Sequence, residues 1–204
     1  MDREKRKLIF FDFDGVIADS FSPAFRVSKM IHPLLEPEDY RRRFDGNINE
    51  TVVDSRVQKE HRPDIDFFTE YGPLLLGCRV FPGMRNVIEK LEKEYSLVIV
   101  SSTTTSLISE FLEKHHMEHH FAEIMGNDIH KSKIKKIGMA LDKYKVAPSE
   151  CFFVTDTLGD INESRHMGVE AIAVTWGYHS KESLIKGNPF AVADTTEELL
   201  NLLK

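Results

Sequence analysis

The chain has little of what stapled, secreted or membrane-bound folds need. It carries two cysteines, Cys78 and Cys151, in 204 residues. They are far apart and show no metal-type spacing, so both thiols are expected to be reduced and buried in a cytoplasmic protein. No apolar run approaches the roughly 20 residues that span a bilayer. The short basic cluster of Arg3, Lys5, Arg6 and Lys7 contains Glu4, and it lacks the apolar segment and cleavage site of a signal peptide. Basic charge is not in excess. Net charge is -6, which speaks against non-specific binding to nucleic acid or to an anionic membrane. Repeats and low-complexity stretches are missing. So is a Gly-x-Gly-x-x-Gly after the first apolar run, which argues against a dinucleotide-binding oxidoreductase.

What is present is a balanced 41% apolar and 29% charged composition, long enough for one sizeable core and a small insertion. The stretch Leu8 to Ser20 organises the rest. The apolar run Leu8 to Phe11 reads as a strand buried on both faces, as in a parallel sheet. Asp12 and Asp14 follow, two residues apart, so along a strand they point the same way. Paired anions repel and call for a cation between them. Gly15 then lets the chain turn off the sheet. Open α/β sheets place their ligands at such strand ends.

Between Ser20 and about Phe81 no convincing strand occurs. Phe25, Met30, Ile31, Leu34 and Leu35 fit an amphipathic helix broken near Pro33 and Pro37. Glu38 to Phe44, Glu50 to Lys59 and Ile65 to Leu76 read as further helices. From Gly83 helices and strands alternate. Helices are expected over Met84–Glu94, Thr104–His115, Ser132–Tyr144, Ile161–Met167 and from Thr195. Strands are expected over Leu97–Val100, Phe121–Met125, Cys151–Thr155, Glu170–Trp176 and Phe190–Ala193. This alternation predicts an α/β fold, a Rossmann-like parallel sheet with helices on both faces. Residues 1–19 and 81–204 form the core. Residues 20–80 form a separate helical domain, hinged near Asp19 to Phe21 and Val80 to Gly83.

Three further strand ends carry polar clusters. Ser101, Ser102 and Thr103 to Thr105 open a helix after Leu97–Val100. Hydroxyls and free N–H groups there suit an anion, although taken by themselves they are better explained as an ordinary N-cap. Lys131, Ser132 and Lys133 offer a cation near a helix start. Asp156 and Asp160 follow the strand Cys151–Thr155. His115, His116, His119 and His120 sit at a helix C-terminus, where histidine suits the dipole, and they are not read as metal ligands.

Asp12-Phe13-Asp14-Gly15-Val16, with Asp19-Ser20 behind, resembles the first motif of the haloacid dehalogenase superfamily. Ser101 resembles the second motif and a lysine near Ser132 the third. Asp156 to Asp160 resembles the fourth, with Thr155 where the pattern usually has Gly. Pro82-Gly83 and Val174-Thr175-Trp176-Gly177-Tyr178 resemble the phosphoglycolate phosphatase and β-phosphoglucomutase-like branch. The resemblance implies a Mg2+-dependent phosphatase acting on a small phosphorylated metabolite through an aspartyl-phosphate, with a helical cap. It also leaves room for a phosphomutase or a catalytically inactive phospho-ligand-binding protein. It implies Asp12 as nucleophile and Asp14 as acid and base. Asp12, the Asp14 carbonyl and Asp156 would hold Mg2+, with Asp160 in support. Ser101 and Lys131 would hold the phosphoryl oxygens, with Ser102 and Gly15 beside them. Arg41 and Arg42 are the cap residues expected at the substrate. Three consecutive arginines, Arg41 to Arg43, fan around a helix at about 100° per residue, so only one or two can reach it. Lys131 is preferred to Lys133 because it matches the motif register without a gap.

Overall fold

In the computed structural model, which describes residues 8–48, 55–58 and 60–203 (of 56 the backbone alone), six parallel strands form one sheet. They are β1 (Leu8–Phe11), β2 (Ser96–Val100), β3 (Glu123–Met125), β4 (Cys151–Thr155), β5 (Glu170–Val174) and β6 (Ala191–Ala193). Their order is β3-β2-β1-β4-β5-β6. The chain therefore builds outward from β1 to one side, then crosses to the other side at β4. That switch point leaves a crevice at the carboxyl ends of β1 and β4, where open α/β sheets bind ligands. Register keeps the two ends level: Phe11 lies opposite both Ile99 and Val154. Every residue of β1 and β4 is buried, which is why both read as unbroken apolar runs.

Among the described residues four helices lie between β1 and the rest: α1 (Phe21–Ile31), α2 (Pro37–Arg42), α3 (Ser55–Gln58) and α4 (Phe67–Leu75). The expected helix over Glu50–Lys59 is seen as α3 (Ser55–Gln58), while residues 50–54 and 59 of that expectation lie outside the described residues, as do Arg3 to Lys7. Asp66 caps α4, its carboxylate accepting from Thr69 N–H at 2.8 Å. The two chain segments joining this insertion to the sheet run antiparallel. Asp19 N–H donates to Arg79 O at 3.0 Å, and Phe81 N–H to Ile17 O at 2.9 Å. The crossover helices are α5 (Met84–Leu91), α6 (Thr105–Lys114), α7 (Lys133–Tyr144), α8 (Leu158–His166) and α9 (Lys181–Ile185), and α10 (Thr196–Leu202) follows the last strand. On α5, Met84, Val87, Ile88 and Leu91 are all buried, a stripe at helical spacing.

Cys151 is buried and Cys78 only partly so, and neither is in a disulfide. Burial pushes the Cys78 thiol up to about 11. The expectation that both thiols are buried thus fails in part at Cys78. Its thiol points along the last turn of α4, 3.4 Å from Leu74 O. Among the described residues no helix is long and apolar enough to cross a membrane.

Candidate active site

The carboxyl ends of β1 and β4 bring Asp12, Asp156 and Asp160 together, all three buried, with Asp14 half-buried beside them. Asp12 continues β1, its N–H donating to Val154 O at 2.9 Å. Asp160 sits in the first turn of α8, where Thr157 caps the helix. Lys133 lies between two of these carboxylates. Its Nζ donates to Asp12 Oδ2 at 2.8 Å and to Asp160 Oδ2 at 2.7 Å.

The charges follow from that placement. Burial would push Lys133 down, but Asp12 and Asp160 outweigh it and hold the ammonium above its ordinary range. Asp12 is pushed well up, mainly by burial and then by the Asp160 and Asp156 carboxylates, with Lys133 opposing. Asp160 goes the other way: burial would raise it, but Lys133 and the hydrogen bonds it receives hold it low. Burial pushes Asp156 up to about 7, against the pull of the Tyr178 backbone N–H. The crevice thus holds more carboxylate than Lys133 by itself can neutralise.

Asp156 makes this concrete. Its Oδ2 accepts from Tyr178 N–H at 2.6 Å, while its Oδ1 is buried without a hydrogen-bond partner. Gly15 and Gly177 flank it, and a Cβ at either would overlap the Asp156 carboxylate. Gly15 also needs its freedom for a φ of 76°. An orphaned carboxylate oxygen in a cradle with surplus negative charge suits a hard dication that takes oxygen ligands, as Mg2+ does. Among the described residues no three histidine, cysteine, aspartate or glutamate side chains are grouped so as to hold a metal ion by themselves. The fit therefore rests on the orphaned oxygen and the charge balance.

The expected residues divide. Asp12, Asp14, Asp156 and Asp160 lie together at the carboxyl ends of β1 and β4. Thr155, the departure from the motif, proves useful: its Oγ1 donates to Asp160 Oδ2 at 2.7 Å. Lys131 is exposed, whereas Lys133 is buried against the carboxylates. The reason is the start of α7. Ser132 is its N-cap, so Lys133 opens the helix on the same stripe as the buried Lys136, Ile137, Ala140 and Leu141. The helical period held this signal. Ile137 and Leu141 are buried at the centre of that stripe while Ile134 and Tyr144 lie half-buried at its edge, so the inward face of α7 takes in Lys133.

Gly15 takes another part than phosphate contact, since its N–H donates to Ala18 O at 2.9 Å and its missing side chain makes room for Asp156. Ser101 is fully buried at the turn, its Oγ accepting from Thr103 N–H at 3.0 Å, while Ser102 and Thr103 line the open cavity. Arg41 and Arg42 do not line the cavity; Arg43 does. Arg41 Nε donates to Tyr178 O at 3.0 Å, and its guanidinium lies 4.4 Å over the Phe21 ring. Arg42 points to solvent, 3.8 Å from Asp39. The fan of three thus delivers one side chain inward. Of the histidines, His120 Nδ1 lies 2.6 Å from Glu92 and far from this site.

Tyr71, His32 and His179 carry no motif, and sequence reading passed over them. Tyr71 hydroxyl donates to Asp14 Oδ1, which also accepts from Ser20 Oγ at 2.8 Å. Thr103 Oγ1 donates to Asp14 Oδ2 at 2.7 Å. His179 joins insertion to core: its Nδ1 accepts from Leu158 N–H at 3.0 Å, which leaves Nε2–H to donate to Arg41 O at 2.9 Å. A cavity of about 260 Å³ runs from Asp12 and Asp14 to the inner faces of α1 and α4.

The model of the family described as haloacid dehalogenase-like hydrolase matches residues 9–174. A phosphoglycolate phosphatase of Vibrio parahaemolyticus is 25% identical over 100% of this chain and 98% of its own. One of Synechococcus elongatus is 24% identical over 94% of both chains. Among solved structures, a haloacid dehalogenase-like hydrolase of Streptococcus pneumoniae superposes with a TM-score of 0.78 at 22% identity, covering 98% of this chain and 99% of that one. A phosphoglycolate phosphatase-like protein of Haemophilus somnus gives 0.75 at 19% identity, over 99% and 100%.

Proposed function

Because the chain belongs to the haloacid dehalogenase-like hydrolases, as a phosphoric monoester hydrolase, we propose that it cleaves a small phosphorylated metabolite with the help of Mg2+, through an aspartyl-phosphate on Asp12. The observation that carries this reading is the buried set of Asp12, Lys133 and Asp160, with Asp14 opening on the same cavity.

In this reading an Asp12 carboxylate oxygen attacks phosphorus, and the bond from phosphorus to the leaving oxygen breaks. Asp14 gives that oxygen its proton, then takes a proton from the water that releases phosphate and restores Asp12. Lys133 holds Asp12 in place, and its ammonium offsets charge as the phosphoryl group transfers. Ser102 and Thr103 present the turn after β2 to the phosphoryl oxygens, while Ser101 braces that turn from below. Asp12, the Asp14 carbonyl and Asp156, supported by Asp160, would hold Mg2+, whose charge would let the buried carboxylates ionise. The insertion of α1 to α4 serves as a cap: His179, Arg41 and the Phe44 O to Gly159 N–H bond at 2.9 Å seat it on the core, which excludes bulk water.

The test is phosphate release from a panel of phosphorylated metabolites, with Mg2+ and with EDTA. Turnover should require the metal and vanish in Asp12→Asn. Turnover that persists in Asp12→Asn would remove the aspartyl-phosphate.

A further inference from the structure

Lys136 is a buried charge that the chemistry above leaves without a task. It lies one turn past Lys133 on the buried stripe of α7, beside Ile137 and Ala140, and is 0% exposed. A methionine of similar length would fill that space, whereas a buried ammonium carries a desolvation cost. Asp12 and Asp160 pair with Lys133 instead, and among the described residues no carboxylate pairs with Lys136. Its Nζ donates to two carbonyls, Ser101 O and, at 3.3 Å, Gly126 O.

Those carbonyls follow β2 and β3, at the turn that carries Ser102 and Thr103. A planar trans peptide points its C=O and its N–H in opposite directions. Lys136 holds the Ser101 carbonyl, so the Ser102 N–H points away from Lys136, and Ser102 lines the cavity. That N–H donates to no group among the described residues. The Gly126 carbonyl belongs to a second such peptide. Its N–H, that of Asn127, donates to Thr103 O at 2.9 Å, and Thr103 Oγ1 in turn holds Asp14. One ammonium thus braces both sides of the turn and polarises its peptides. Burial, then Lys133, brings Lys136 down to about 8, with Asp12, Asp160 and Glu163 opposing and Asp128 facing it from the end of β3. It is therefore charged at pH 7.

Resting on the hydrolase reading above, we propose that Lys136 is a positioning residue of the phosphoryl site, which orients and polarises the Ser102 N–H so that it donates to a phosphoryl oxygen. Lys136 itself touches no substrate. It acts through the Ser101–Ser102 peptide, as a second cation behind the turn, while Lys133 stands beside Asp12. An ammonium one peptide's width from a bound dianion, away from bulk water, is enough for about a tenfold gain in affinity.

Inorganic phosphate with Mg2+ at pH 7 is the probe, and its Kd is read by NMR titration, without turnover. Lys136→Met should raise that Kd by about tenfold or more. The Mg2+ concentration that gives half the rise in melting temperature, measured without phosphate, should stay within about twofold. Lys135→Met, one residue away and exposed, should change neither, which controls for net charge. The unaltered enzyme gives a second measurement if Lys136→Met does not fold. Coupling between two bound charges is reciprocal, so saturating phosphate should raise the pH at which the Lys136 ε carbon titrates by about one unit, the counterpart of tenfold in Kd. A Kd within about twofold of the unaltered protein's, a Mg2+ midpoint that moves along with the Kd, or a Lys136 titration that phosphate does not shift overturns the proposal and leaves the hydrolase reading intact. Tenfold weaker phosphate binding in Lys136→Met, in a protein that hydrolyses no phosphate ester, would instead overturn the hydrolase reading and leave Lys136 its part in holding the anion.

Discussion

Tyr71, on a helix of the insertion, donates a hydrogen bond from its hydroxyl to the carboxylate of Asp14, which the β1 turn supplies from the core. Tyr71 is fully buried, so the bond is shielded from water. It ties the proposed acid to the seating of the insertion. Tyr71→Phe keeps the ring and removes this one contact, while Ser20 and Thr103 still hold Asp14. The expected result is a fall in kcat of about tenfold, on the scale of one hydrogen bond to a charged group, with the fold retained by circular dichroism. Unchanged kcat in steady-state kinetics would reduce Tyr71 to a packing residue.

Lys133 and Lys131 should separate sharply. Lys133→Ala strips Asp12 and Asp160 of their cation inside the protein. It is expected to lower kcat by about a hundredfold or more and to lower Tm in EDTA, because buried carboxylates lose their partner. Lys131→Ala, at an exposed position, should change kcat less than about threefold. Side-by-side kinetics of the two variants check this, and the reverse ranking would return the role to Lys131.

Mg2+ should raise the melting temperature as it binds, since a ligand that binds only the folded state stabilises it by mass action. Asp156→Asn should abolish that rise, because the orphaned Oδ1 and the surplus charge are what call for the ion. Thermal melts with Mg2+ and with EDTA read this without any substrate. A full Mg2+ shift in Asp156→Asn would take Asp156 out of the metal site.

Arg43 should be the one arginine of three that affects substrate. It alone lines the cavity, so Arg43→Ala should raise KM for the best ester by about tenfold. Arg42→Ala should do nothing measurable, as expected of an exposed ion pair. Arg41→Ala should act through the seating of α2 on Tyr178 and Phe21 and lower kcat with KM little changed.

Lys136 gives a stability prediction with a definite sign. Its Nζ donates to Ser101 O and, at 3.3 Å, to Gly126 O. Burial first, then Lys133, brings it down from 10.5 to about 8. Between about pH 8 and 10.5 the unfolded chain therefore holds a proton that the folded chain has released. Stability from this group rises with pH across that window. Urea titrations should show wild type gaining on Lys136→Met as pH rises from 8 towards 10.5. A gap between the two that is constant with pH would mean Lys136 keeps its proton throughout.

The sequence by itself determined the sheet and the acidic strand ends. Parallel strands buried on both faces have to be apolar runs, and carboxylates placed directly after such runs have no choice but the carboxyl edge of the sheet. Asp12, Asp14, Asp156 and Asp160 were legible for that reason, and so was the helical character of the insertion. What only the tertiary structure decided were matters of direction. Whether Lys131 or Lys133 faces the carboxylates depends on where α7 begins, and the Ser132 cap shifts that by a single turn position. Which of Arg41, Arg42 and Arg43 reaches the cavity depends on how α2 lies against Tyr178 and Phe21. Tyr71 and His32 are separated from the motifs in the chain and meet the site only because the insertion folds back over the sheet. Local periodicity places a side chain on a face of its helix, but the partner packed on that face comes from distant segments whose approach no local pattern encodes.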